Sequence, residues 1–427
     1  MENFILLTII STRKFVINKR KKGLLYIFHF HNNKNSIKII INLKIILKKL
    51  GGFKMKFSIK KEILLENLNY VSHAVSTKNV IPVLAGIKFD LRDNGLYLVS
   101  SDNEVDIEVF IDKKYIDKIE KTGSIVIQGK FLLDIVRKLP DGEINIEVID
   151  GLKIMLYNQN SNFNLNGIDP DEFPNLNMEK SSNPIILDKK VIKTMVNQTI
   201  YATSTQESRP ILTGLNFKID NDTLECIATD SYRLAKKNIK LENAVENPIN
   251  IVIPGRNIGE LVKIFNEDEE KVKIHIFTNK VLFEFDNILF QSRLLNDVFP
   301  NISRLIPTEF KLIITANLNE LFNVVDRASL LTSEKEKNVI KFETNGNILT
   351  VTSNTPEIGR VEEKLPIHKD NNEDIKIAFS AKHMMDALRT INSKDVRILL
   401  NSEISPIILN TGDSDDLLQL LMPIKTY

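Results

Sequence analysis

Three stretches of this 427-residue chain repeat one pattern. Ile127-Gln128-Gly129-Lys130-Phe131-Leu132-Leu133-Asp134-Ile135-Val136-Arg137 is echoed by Ile253-Pro254-Gly255-Arg256-Asn257-Ile258-Gly259-Glu260-Leu261-Val262-Lys263. It is echoed again by Phe379-Ser380-Ala381-Lys382-His383-Met384-Met385-Asp386-Ala387-Leu388-Arg389. Each copy reads as a strand end, a small residue, a cation, then an amphipathic helix with an acid and a closing cation at matching places. Gly129 to Gly255 is 126 positions, and Gly255 to Ala381 is 126 again. Solenoid units run to roughly 50 residues at most, so a period this long is a whole domain repeated three times.

The rest of each repeat agrees. Phe57-Ser58-Ile59 leads into a helix carrying Ile63, Leu64, Leu68, Val71 and Val75, and Ile185-Ile186-Leu187-Asp188 leads into Val191, Ile192, Met195 and Val196, with Asp188 placed to cap. In the third copy Asn317 stands three residues before Glu320, a capping-box arrangement, and Leu321, Phe322, Val325 and Ala328 follow. Strands Gly86-Ile87-Lys88-Phe89, Gly214-Leu215-Asn216-Phe217 and Val339-Ile340-Lys341-Phe342 come next, and alternation in Ile144-Asn145-Ile146-Glu147-Val148 indicates sheets with one wet face. The fold class is α+β, three copies of a two-helix, multi-strand unit. Proline-marked breaks place the units at 55–183, 184–308 and 309–427.

Residues 1–54 carry no copy of the repeat. They hold twelve Lys or Arg and one acid, Glu2, whereas the other residues hold 45 cations against 54 acids, a net charge of −9. The folded body is therefore acidic, and contact with nucleic acid requires a local cationic surface. The leader lacks the charge-first order of a signal peptide and the roughly 20 apolar residues of a membrane span. A basic arm for DNA or anionic lipid is one reading of it. The more specific one starts from Gly51-Gly52-Phe53-Lys54-Met55, which back-translates to a sequence able to contain GGAGG just before the Met55 codon. On that reading translation starts at Met55, and residues 1–54 are non-native or disordered.

Enzyme signatures are missing: no phosphate-cradling glycine loop, no paired metal-ligand spacing, no nucleophile elbow. Asp102 and Asp230 each end a strand beside a hydroxyl residue, where turn capping is the commoner role. The single cysteine, Cys226, lies in an apolar run and excludes an internal disulfide framework. No cofactor or metal is expected. Cations recur on the helices instead: Lys130, Arg137 and Lys138, then Lys189, Lys190, Lys193, Arg256 and Lys263, then Lys382 and Arg389. Recurrence in three units points to one common cationic surface.

Three further runs are sharper: Thr229-Asp230-Ser231-Tyr232-Arg233-Leu234-Ala235, Phe299-Pro300-Asn301-Ile302 before the third unit, and the ending Leu421-Met422-Pro423. With Met55-Lys56-Phe57 as a start, the chain from Met55 to Tyr427 resembles the β subunit of bacterial DNA polymerase III, the DNA sliding clamp family. The resemblance implies a head-to-tail homodimer closing into a six-domain ring, with helices inside and sheets outside, that encircles duplex DNA and tethers the polymerase. Implied partners are double-stranded DNA, the replicative polymerase catalytic subunit, the clamp loader and other proteins with short clamp-binding peptides, in the cytoplasm and away from membranes. The competing reading is a DNA-processing enzyme with an unrecognised active site.

Carried over by position, Lys78 matches a family arginine that contacts DNA. Phe163 and Leu165 match one side of the ring joint, and Leu330 and Leu331 the other. The implied peptide pocket is formed by Leu212, Thr229, Ser231, Tyr232, Arg233, Leu234, Pro300, Arg304, Leu305, His383, Ile404, Pro406, Leu420 and Met422. Such a lining suits the Leu and Phe of a short linear peptide.

Overall fold

The computed structural model describes residues 54–76, 81–266, 270–333, 338–356, 358–412 and 416–425, with the backbone of three short antiparallel leader strands, Leu7–Ile10, Lys14–Ile17 and Phe28–His29. The rest of the basic leader lies outside the described residues, and so does Lys78.

Helix α1, Lys61–Ser72, continues directly from strand Lys56–Lys60 and buries Leu64, Leu68 and Val71, the helical stripe that the sequence spacing predicts. By contacts the chain divides into two compact units. The first comprises the described residues up to Leu65, Lys88–Leu96 and Asp112–Phe173. Its antiparallel sheet runs Asn162–Asn166, Lys153–Tyr157, Glu143–Asp150, Lys56–Lys60 and Ile116–Lys121 in hydrogen-bonded order. Helix α2, Gly129–Lys138, buries Leu132 and Val136 and leaves its cations exposed.

The second unit comprises Glu66–Ile87, Tyr97–Ile111 and the described residues from Pro174 onward. It carries α3 (Lys189–Thr199), α4 (Gly255–Ile264), α5 (Leu318–Ser329) and α6 (Ala381–Leu388). Asn317 Oδ1 accepts from the Glu320 N–H at 3.1 Å, so the cap predicted for α5 is present. Asp188 does not cap α3 through its side chain. Its backbone closes strand Ile185–Asp188 opposite Lys271, and the Lys189 N–H donates to Glu270 O at 3.1 Å instead. Gly255, in the echoed segment, opens α4 where a Cβ would lie 2.9 Å from Thr213 O. The third copy has a buried alanine at the matching place, Ala381.

Adjacent repeats are welded through their sheets. Ile288–Arg293 of the second repeat pairs antiparallel with Val105–Asp112 of the first, with Phe290 opposite Ile107. Leu417–Leu421 of the third pairs with Arg233–Lys240 of the second, with Leu420 opposite Leu234. This is why strands of the first repeat cluster with the second unit. Among the edge strands of the described residues are Asn162–Asn166 in the first unit and Gly359–Pro366 at the end of a four-stranded sheet in the second; neither pairs with another repeat.

Candidate partner pocket and cationic helix faces

The turn Thr229–Arg233 links two strands of the nine-stranded sheet. Asp230 Oδ1 accepts from the N–H groups of Tyr232 (2.8 Å) and Arg233 (2.9 Å), and Thr229 Oγ1 donates to Arg233 O at 2.7 Å. These bonds hold Ser231 at φ 78°, a left-handed conformation that a non-glycine residue adopts only when its surroundings compensate. The capping role expected for Asp230 is therefore met. Asp102 does the same for Glu104 and Val105, at 3.1 and 2.8 Å.

Below the turn lies an apolar cluster in which Leu212, Leu234 and Leu420 are buried with Ile227, Phe299 and Leu399, and Met422 packs against it half-buried. Burying each such side chain contributes about 1.5–3 kcal/mol, so this floor is also a core. Around it Tyr232 (59% exposed), Leu305 (49%) and Ile404 (62%) keep large apolar surfaces in solvent. Ser231 and Arg304 are exposed as well; Pro300, His383 and Pro406 are half-buried, and Thr229 is buried. Met422 is fixed by its N–H, which donates to Tyr232 O at 2.8 Å; the Ile424 N–H donates to Ala378 O at 2.7 Å, so the chain end is stitched across the site.

A charged network underlies the turn. Arg233 donates from Nε to Asp230 Oδ2 (3.0 Å) and from Nη1 to Asp386 Oδ2 (2.7 Å), and its guanidinium lies 5.1 Å from the centre of the Tyr201 ring. The Tyr201 hydroxyl donates to Gln419, and burial pushes its pKa well above the usual tyrosine range. Burial first, and the Arg233 charge second, push His383 below its ordinary value. Asp386, Tyr201 and Gln419 were not among the expected site residues. The signal for Asp386 was present, since it is the acid that recurs in all three echoes.

The helix cations divide. Lys130, Arg137, Lys138, Lys190, Arg256, Lys263, Lys382 and Arg389 are exposed, and Lys193 is half-buried. Arg256 donates to Asp102 Oδ2 at 2.8 Å, and Lys263 to Glu260 Oε1 at 2.7 Å, each with most of its side chain in solvent. Lys189 does not face outward as expected. It is 1% exposed, with Nζ 2.7 Å from Asp286 Oδ2 and 3.0 Å from Asn266 Oδ1, and it lies against the Phe285 ring. Its position opening α3, between Glu270 and the Asp286 turn, turns the side chain inward, where a charge persists only because it is paired.

Of the expected joint residues, Phe163 is exposed and Leu165 half-buried on the open edge strand. Beside them Ile127, Gln128, Phe131 and Asn164–Asn166 line a hollow of about 280 Å³. In the second unit Leu330, at the end of α5, is 74% exposed, and Leu331 is half-buried. Among the described residues no group of three or more His, Cys, Asp or Glu is placed to hold a metal ion, and no helix is long and apolar enough to cross a membrane.

Comparison with known proteins resolves what this arrangement belongs to. Models of the DNA polymerase III beta subunit match in order: the N-terminal domain over residues 55–177, the central domain over 186–301 and the C-terminal domain over 303–425. The beta sliding clamp of Bacillus subtilis (strain 168) is 39% identical over 378 residues, covering 87% of this chain and all of the relative. That of Staphylococcus epidermidis is 38% identical over 377 residues with the same coverage. The crystal structure of the Bacillus subtilis DNA polymerase sliding clamp superposes with a TM-score of 0.84 at 38% identity, over 88% of this chain and the whole of that one. The Streptococcus pneumoniae DNA polymerase III beta chain gives 0.84 at 35%, over 87% of this chain and all of its own. The chain belongs to the bacterial β sliding clamps, the β subunits of DNA polymerase III, a family of non-catalytic processivity factors for DNA replication.

Proposed function

We propose that two copies of this chain close head to tail into a ring around duplex DNA, and that each copy holds client proteins by short peptides seated between the Thr229–Arg233 turn and Met422. The observation that carries the ring is the position of the joint strands. Val105–Asp112, Arg233–Lys240 and Gly359–Pro366 are equivalent in the three repeats, and so are Asn162–Asn166, Ile288–Arg293 and Leu417–Leu421. Each joint within the chain pairs a strand of the first set with a strand of the second set from the next repeat. Among the described residues one member of each set, Gly359–Pro366 and Asn162–Asn166, pairs only within its own repeat, so a second copy completes both edges by the same rule. Leu330 of one copy then meets the hollow beside Phe131 and Leu165 of the other.

The exposed helix cations offer a positive lining without sequence reading, while the −9 body repels phosphate elsewhere. Retention is topological, so strong binding is unnecessary. The apolar floor with its exposed rim accepts peptides of the polymerase catalytic subunit, the clamp loader and other clients, and Met422 repacks for different side chains. Cys226, buried with its thiol pushed up to about 12 by burial, suits a reducing cytoplasm.

Protein loaded on nicked circular DNA is expected to stay bound until the circle is cut and then to slide off. Retention on linear DNA refutes the ring. Replacing Leu330 and Leu331 by Glu is expected to give monomers by light scattering, and a surviving dimer places the joint elsewhere.

A further inference from the structure

Asp386 stands on α6 with two cations on one carboxylate. Oδ2 accepts from Arg233 Nη1 at 2.7 Å, and Oδ1 accepts from Arg389 Nη1 at 3.2 Å. The two arginines differ in surroundings. Arg233 is 11% exposed and forms part of the turn bordering the peptide pocket; the Arg389 side chain is 58% exposed, rests over Phe322, and belongs to the cations assigned to the duplex. The bond to Arg233 is short and screened from water; the bond to Arg389 is long and wet, so phosphate competes readily for Arg389.

We propose that Asp386 is a positioning residue for the peptide pocket, and that sharing its carboxylate with Arg389 links pocket affinity to duplex in the ring. When phosphate draws Arg389 away, the whole carboxylate charge falls to Arg233, which tightens the pair with Asp230 and the left-handed turn at Ser231. Peptide then meets a turn already set, and the gain is reciprocal: bound peptide favours the state in which Arg389 is released to the duplex. Asp386 touches neither ligand and acts through Arg233. The proposal rests on the clamp reading above.

The test uses the full-length dimer, a fluorescein-labelled peptide of about ten residues containing adjacent Leu and Phe, and a separately labelled duplex oligonucleotide long enough to thread the ring. Peptide anisotropy is titrated with and without duplex. Duplex is expected to raise wild-type peptide affinity about fivefold, the low end of ordinary coupling. Arg389→Gln without duplex is expected to bind peptide as the duplex-bound wild type does, with no further gain. Asp386→Asn is expected to bind peptide more weakly and to ignore duplex, and Asp386→Glu to restore part of the response, which separates positioning from a failure to fold. An unchanged fivefold response in folded Asp386→Asn overturns the proposal. Duplex that binds the wild type without changing peptide affinity overturns the coupling and leaves the clamp reading standing; duplex that does not bind overturns both.

Discussion

At the joint between the first and second repeats, Ser101 Oγ and Asp102 Oδ1 accept from the backbone of the turn that holds Asn103 at φ 75°. At the joint between the second and third, Thr229 and Asp230 do the same around Ser231 at φ 78°. The acid on the next repeat's second helix is also shared in both. Glu260 takes Lys263 three residues on at 2.7 Å and His73 Nδ1 at 2.7 Å; Asp386, 126 positions later, takes Arg389 three residues on and Arg233. The contrast lies in what reaches the acid from the preceding repeat. At the first joint it is a histidine just past the end of α1 and not a residue of the turn, and Asp102 is met separately by Arg256. At the second it is Arg233, a residue of the turn itself, with Tyr201 packed beneath it. The same arrangement fastens sheets at the first joint, and at the second it also fastens the edge of the proposed peptide pocket.

Arg233→Ala should break that contrast most severely. It takes the shared guanidinium from the Asp386 and Asp230 carboxylates, about a fifth exposed or less, while Arg389 still meets Asp386 and two backbone N–H groups still meet Asp230, so a loss of about 2 kcal/mol is expected for the charged hydrogen bonds removed. Chemical denaturation should report the loss, and amide exchange should rise in Arg233–Lys240 and Leu417–Leu421 while Val105–Asp112 stays protected. Equal loosening at both joints would mean that the two networks are not separate.

His73→Ala removes one well-formed bond in a half-exposed setting, so about 1 kcal/mol is expected, confined to the first joint and without effect on peptide binding. A pH dependence goes with it. Burial opposes the Glu260 charge, yet the bonds from Lys263 and His73 outweigh burial and hold its pKa below 4.5. A depressed carboxylate adds stability that is present above its unfolded value and is lost as pH falls through the folded one. The first joint should therefore weaken below about pH 4.5, and Glu260→Gln should flatten that loss. Weakened peptide binding in His73→Ala would erase the distinction between the joints.

How far these differences were legible is instructive. The repeats, the helix stripes and the cap at Asn317 follow from spacing alone, because each depends on residues a few positions apart. Lys189 did not, because its inward turn is decided by Asp286, 97 positions away. The echoed acids were visible at Asp134, Glu260 and Asp386, but their purpose was not. Their partners, His73 and Arg233, are at unequal places in the preceding repeat and meet them only through the folded joint. The proposed pocket rests on the resemblance; its floor reads locally as ordinary core, since Leu212, Leu234 and Leu420 are core.

The smallest expected effect sharpens the comparison at a single position. Asn257 and His383 are 126 apart, at the same point on α4 and α6. Asn257 is a buried amide that donates to Ser292 Oγ at 3.0 Å and does not titrate. His383 has Arg233 and Lys382 disfavouring its protonation and Asp230 and Asp386 favouring it, with burial as the largest influence, and the balance lies below the ordinary 6.5. A lowered histidine pKa favours the neutral ring in the folded state, so its contribution is full above pH 6.5 and declines as pH falls below that value toward the folded pKa. Between pH 7.5 and 5.5 the strand pair of the second joint should lose protection, read by amide exchange after correction for intrinsic pH dependence. His383→Asn, which gives the third repeat the second repeat's residue, should remove that loss; a loss that survives the substitution would trace the pH response to another group.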